Sequence, residues 1–158
     1  MKKLISALFI IVFSITSYSQ KTSEEENVKQ TIETFFDGFH SRDSLIMKSV
    51  VNEEIVMQSI GRNPEGELKL HHEDFGKFLK SIISIPATTL FREELHSYEI
   101  KIDGDMANVW TPYTLYVNEV FQHCGVNNFQ LFRKNEEWQI IYLVDTRRKE
   151  GCDQRKLE

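Results

Sequence analysis

Apolar positions along this chain follow first a helical period and then a strand period. Val28, Ile32, Phe35, Phe36 and Phe39 fall at i, i+4, i+7, i+8 and i+11, which places them on one face of a helix. Ser23 and Glu26 have capping-box spacing at its start, and Glu24 and Glu25 add negative charge where the helix dipole favours it. Asp43 or Ser41 can cap a short second helix carrying Leu45, Ile46 and Val50. Glu54 to Ile60 alternates like a strand, with Ile55, Met57 and Ser59 on one side. Gly61 to Gly66 has loop chemistry. His71 to Ile83 predicts a third helix, with Phe75, Phe78, Leu79 and Ile82 on one face and Pro86 ending it.

From Glu93 to Arg148 the period becomes two. Turn residues at Asp103-Gly104, Asn118-Glu119 and Asn135-Glu136 divide this stretch into four antiparallel strands. Two-residue loops set Ile102 opposite Asp105, Val117 opposite Val120 and Lys134 opposite Glu137. Following the ladders back gives cross-strand rows on one face. Glu94, Tyr113, Cys124 and Arg147 form the first row. His96, Thr111, Val126 and Asp145 form the second, and Tyr98, Val109, Asn128 and Leu143 the third. Trp110 lies on the other face. The rows grade from charged to apolar, as expected for a sheet that curls around helices and opens a pocket at one end. The competing picture is an ion pair of Glu94 or Asp145 with Arg147 on an exposed face, worth at most about 1 kcal/mol. One bulge would exchange the faces of half these residues, and Pro112 in mid-strand invites one because it cannot donate to a ladder.

Composition changes the picture at the N-terminus. Lys2 and Lys3, the apolar run Leu4 to Phe13, and Ser17 and Ser19 before Gln20 have the form of a secretory signal peptide over residues 1–19. The run is too short to span a bilayer, which takes roughly 20 apolar residues. Residues 20–158 are then a single domain of ordinary globular composition, placed in the periplasm or secreted. The chain carries a formal charge of −5, and loss of the two leader lysines makes it more acidic. It lacks a basic stripe interleaved with aromatics. These features exclude nucleic acid and, after leader cleavage, an anionic membrane as partners.

Two cysteines in an exported chain favour a Cys124–Cys152 disulfide. The rival reading is a reactive Cys124 beside His123, which is weakened because neighbours on a strand point to opposite faces. His71 and His72 are adjacent rather than i, i+4, so no metal site is expected there, and no cofactor is implied. For acid–base chemistry the candidates are Asp145, His96 and Tyr113. For ligand binding they are Glu94, Tyr113, Trp110, Asn128 and Arg147. Arg147 would keep a neighbouring carboxyl ionised, which suits holding a ligand better than abstracting a proton.

One long helix, two shorter helices with a strand between them, then long curled strands resembles the nuclear transport factor 2-like superfamily. This is the cone-shaped α+β fold of ketosteroid isomerase, scytalone dehydratase and the SnoaL-like cyclases. The resemblance runs from about Ser23 to Arg148. It rests on FFDGFHSRD at the end of helix one, IDGDMANVW at a hairpin and EEWQIIYL in the last strand. It implies a curved antiparallel sheet wrapped around N-terminal helices, and looks most like secreted bacterial members, some of them lumazine-binding-like. The catalytic patterns do not carry over. The helix from Glu24 to Phe39 lacks the tyrosine ketosteroid isomerase uses, and the paired histidines of scytalone dehydratase have no counterpart set. Fold alone does not fix function. Three readings follow: an exported small-molecule-binding or accessory protein; an isomerase, dehydratase or cyclase using Asp145 with His96 or Tyr113; or a ligand-free domain that forms a homodimer through its sheet.

Overall fold

The structure, a computed structural model, describes residues 24–152. The expected leader over residues 1–19 and the expected cap at Ser23 lie outside the described residues. Helix α1 covers residues 24–41, and its expected face is buried, from Val28 through Phe39. Glu24 ties its first turn to the sheet, accepting from Trp138 Nε1 at 3.2 Å and lying 3.1 Å from Arg133 Nη1. Arg42 turns the chain with φ 60°, and Asp43 caps α2 (Ser44–Ser49) through Leu45 N at 2.8 Å. A Cβ on Gly38 would sit 2.7 Å from Met47 N, so glycine lets α2 lie directly on α1. That contact inserts Met47, which is buried, while Leu45 is 75% exposed. The expected short helix is present with Leu45 and Ile46 in it, and Val50, at its C-cap, packs against the core, but the side chain it buries is Met47.

Strand β1 (Val51–Arg62) is longer than its alternation predicts and buries Met57 and Ser59. The third helix is shorter than expected. Its first residues instead form β2 (Leu68–Glu73), antiparallel to β1, so His71 and His72 stand on an exposed edge strand. Helix α3 (Phe75–Ile83) begins where the Asp74 carboxylate accepts from Lys77 N at 2.8 Å. That capping bond decides the boundary against the helical period that extends back to His71.

The C-terminal half forms β3 (Phe91–Leu95), β4 (Glu99–Asp103), β5 (Met106–Val117), β6 (Val120–Lys134) and β7 (Glu137–Thr146). The first expected strand is split in two, both parts pairing with β5. The sheet order is β2-β1-β7-β6-β5-β3, with β1 parallel to β7 and the other pairs antiparallel. This curved, unclosed sheet closes over α1 and α3 around one core that includes Phe35, Val109, Phe129, Leu131 and Ile140. Among the described residues no helix is long and apolar enough to cross a membrane.

All three turns form, two in the expected register. Val117 faces Val120 and Lys134 faces Glu137. Asn118, Glu119, Asn135 and Glu136 all have positive φ, as a type I′ hairpin requires. The first turn is Gly104-Asp105 rather than Asp103-Gly104, with positive φ at Gly104 alone, the type II′ signature. This moves the pairing by two residues and leaves the faces unchanged. Two bulges do change them. The β5–β6 register shifts between Leu115 and Tyr116, and the β6–β7 register shifts between Gln130 and Leu131. The first adds one residue to β6, so Asn127 and Phe129 turn inward and Asn128 turns outward; the second adds one to β7 and keeps Leu143 and Asp145 on the expected face.

Candidate functional site

A hollow of about 280 Å³ lies between α1, α3 and the inner face of the sheet. Its apolar wall is aromatic. Phe78 of α3 stacks on Phe35 and Phe39 of α1 with ring centroids at 6.3 and 6.0 Å, and Phe91 meets Phe39 at 4.7 Å. The opposite wall is an arc of polar side chains from four strands: Glu93 (β3), Tyr113 (β5), His123 and Asn127 (β6), and Asp145 (β7), with Arg147 just beyond.

Their positions follow from local backbone chemistry. A Cβ on Gly125 would lie 1.7 Å from Thr146 O and 2.8 Å from Tyr113 Cε1. Only glycine therefore lets β7 and the Tyr113 ring come together there. Tyr113 Oη donates toward Asp145 Oδ2 and Thr146 O, each at 3.0 Å. Arg147 Nε donates to Asp145 Oδ2 at 2.8 Å and its second nitrogen reaches Oδ1 at 3.4 Å. Asp145, 8% exposed, is thus a buried carboxylate satisfied from two sides. Burial raises the Tyr113 hydroxyl well above its usual range, and the charges of Asp145 and Glu93 raise it further, so it is a donor at every physiological pH.

Glu93 is the second acid. Asn127 Nδ2 donates to its Oε1 at 2.7 Å, and its backbone N–H donates to His40 Nε2 at 3.0 Å. Burial pushes its carboxyl up to about 7, Asp145 adds to the rise, and Asn127 and Arg147 oppose it. His40 and His123 are both pushed down from their usual value by burial. The His123 ring meets Tyr113 edge-on at 5.7 Å. The hollow thus holds a carboxylate paired with Arg147 and, in Glu93, a carboxyl that donates or accepts according to pH, while Glu73 adds a third acidic side chain to its wall. Among the described residues no group of histidines, cysteines and carboxylates could hold a metal ion.

Of the residues chosen from the sequence, Asp145, Tyr113 and Arg147 meet at this hollow. His96, Glu94, Trp110 and Asn128 do not. His96 hydrogen-bonds Thr114 Oγ1 at 2.9 Å on the other face, so its pairing with Asp145 is not assembled. Glu94 lies 2.9 Å from Arg92, also outside. Asn128 accepts from Asn108 at 2.7 Å, and Trp110 is 43% exposed on the outer face. Trp110 lies on the outer face as its register predicts; for the other three the physical reason is a change of register. Strand β3 pairs Leu95, not Glu94, with Tyr113, and the bulge beside Leu115 turns β6 over. Glu93 and Asn127 take the vacated places. The signal that finds them is local alternation: Phe91, Glu93 and Leu95 share a side of β3, as Asn127, Phe129 and Leu131 do of β6.

Cys124 and Cys152 are bonded, with Cα atoms 5.9 Å apart. Cys124 pairs with Arg148 rather than Arg147 across an isolated bridge, and the chain folds back from there to Cys152.

No protein-family model matches the chain, and no curated protein matches it. Solved structures do. The chain is similar to a nuclear transport factor 2-like protein of unknown function from Shewanella baltica OS155 at 13% identity and TM-score 0.58, over 82% of this chain and 97% of that one. A nuclear transport factor 2-like protein from Cytophaga hutchinsonii ATCC 33406 aligns at 11% identity and TM-score 0.62, over 78% and 98%. A protein of unknown function from Mycobacterium tuberculosis aligns at 9% identity and TM-score 0.66, over 84% and 76%. Likeness at such identities speaks for architecture and is silent on activity: the chain has the α+β fold of the nuclear transport factor 2-like superfamily.

Proposed function

We propose that this chain is an exported binding protein for a small molecule with an apolar body and a hydrogen-bonding end. The observation that carries the reading is the hollow of about 280 Å³, with aromatic rings on one side and Glu93, Asn127, Tyr113 and Asp145 on the other. A pocket with an apolar wall and few convergent polar groups is the usual form of a small-molecule site. Binding is favoured over proton transfer because Asp145 is already held by Arg147 and Tyr113, and His96 is on the other face. Export is supported by the leader sequence and by the Cys124–Cys152 bond, which persists in oxidising compartments.

The test is a thermal-shift screen of small aromatic and acidic metabolites. A ligand at a hundred times its Kd adds about 2.7 kcal/mol of stability. Leu143→Trp, which fills the hollow from β7, should abolish the shift. If no compound moves the melting temperature, or if Leu143→Trp leaves the shift intact, the reading is wrong. Self-association is a separate proposal, motivated by Met106, Trp110 and Phe132 exposed on the outer sheet face. A monomer at all concentrations in sedimentation equilibrium would refute it.

A further inference from the structure

Beside the hollow lies a wider groove, and the two share Ser59, Glu73, His123 and Arg147 in their walls. Although the chain is acidic, this groove is lined by Arg62 and by three consecutive cations, Arg147, Arg148 and Lys149. The segment that carries them is fixed. Arg147 N donates to Ile60 O at 2.9 Å, and Arg148 exchanges two 2.9 Å backbone bonds with Cys124. The Cys124–Cys152 bond then ties the chain down again beyond Lys149. Arg147 is committed to Asp145, but Arg148 and Lys149 have no ion-pair partner among the described residues. Glu73 and Glu150 also face the groove and offset part of its charge. The interior is the opposite: its titratable groups include Glu93 and Asp145, so an anion placed inside meets carboxylates.

Resting on the binding reading above, we infer that the ligand is an amphipathic anion, its apolar body in the aromatic hollow and its carboxylate or phosphate outside, against Arg148 and Lys149. The guanidinium fork of Arg148 suits either oxyanion. Lys149 adds a point charge that tolerates different head geometries.

Titration calorimetry with hexyl, octyl and decyl phosphates, the carboxylates of the same lengths, the matching alcohols and inorganic phosphate tests this on the intact disulfide-bonded protein. Each added methylene should tighten the anions about fourfold until the hollow is full. The better of the two anion series identifies the headgroup. Each anion should bind at least tenfold tighter than its alcohol, and raising salt should weaken the anion but not the alcohol. The double variant Arg148→Ala, Lys149→Ala should reduce the anions to the alcohol's affinity, with the alcohol and the unliganded melting temperature unchanged. Alcohols as tight as the anions would overturn the inference while leaving the pocket reading intact. Inorganic phosphate as tight as octyl phosphate would also overturn it, because the hollow would then take no part. Binding by none of the probes would count against both.

Discussion

Replacing Glu93 with glutamine isolates one electrostatic term in this fold. The Glu93 carboxyl rises from an ordinary 4.5 to about 7, chiefly because burial disfavours its charged form. Between those values the folded chain holds a proton that the unfolded chain has released. Folding stability therefore falls as pH rises through this window and changes no further above it. At 1.36 kcal/mol per pH unit the loss is about 3 kcal/mol, complete by pH 8. Glutamine cannot ionise, and its carbonyl oxygen can still accept from Asn127, as Glu93 Oε1 does. Glu93→Gln should match the parent near pH 4 and exceed it by about 2–3 kcal/mol at pH 8, with the gap opening between pH 4.5 and 7. His40 and His123, lowered by burial, act in the opposite sense, costing stability as pH falls below about 6.5. Both are present in each chain and cancel in the difference. Urea unfolding in steps of half a pH unit reads the gap directly, provided the two m-values agree. A gap that does not vary with pH, or a variant less stable than the parent at pH 8, would refute the account of Glu93 as an acid buried at the expense of its charge.

Other outcomes follow from the same geometry. Gly125→Ala should destabilise by about 3 kcal/mol or more in urea unfolding, because its methyl would collide with Thr146 O and the overlap is with backbone. A loss under 1 kcal/mol would mean that β6 and β7 part easily there. Tyr113→Phe should cost about 1–2 kcal/mol by removing one donor from the buried Asp145; a neutral result would show that Arg147 alone satisfies the carboxylate. Reduction, or Cys124→Ser with Cys152→Ser, should cost about 3–4 kcal/mol for a closed loop of 28 residues. Unfolding midpoints that do not respond to reductant would contradict the bond.

The fold was legible because its strongest signals are local. The apolar stripe from Val28 to Phe39 is buried as a face, and Asn118-Glu119 and Asn135-Glu136 lie in positive-φ turns that set two hairpins in the expected register. Much of the site was hidden because a bulge leaves almost no local mark. Strand β6 has the same alternation whichever way it faces, so one extra residue beside Leu115 exchanges Asn128 for Asn127 without altering any pattern within the strand. Tyr113 and Asp145 survive this because β5 is the reference from which the others turn, and because β7 keeps its outer half in phase past its own bulge. The start of the third helix differs from its period for a related reason. His71 to Glu73 continues a helical period, yet the Asp74 cap and the pairing of β2 with β1 hold those residues extended. Residues that contact the hollow through a register shift are therefore the ones sequence periodicity assigns to the wrong face. Glu93 shows the physical cost of the correct one: a carboxyl placed indoors, where its neighbours rather than water determine its charge.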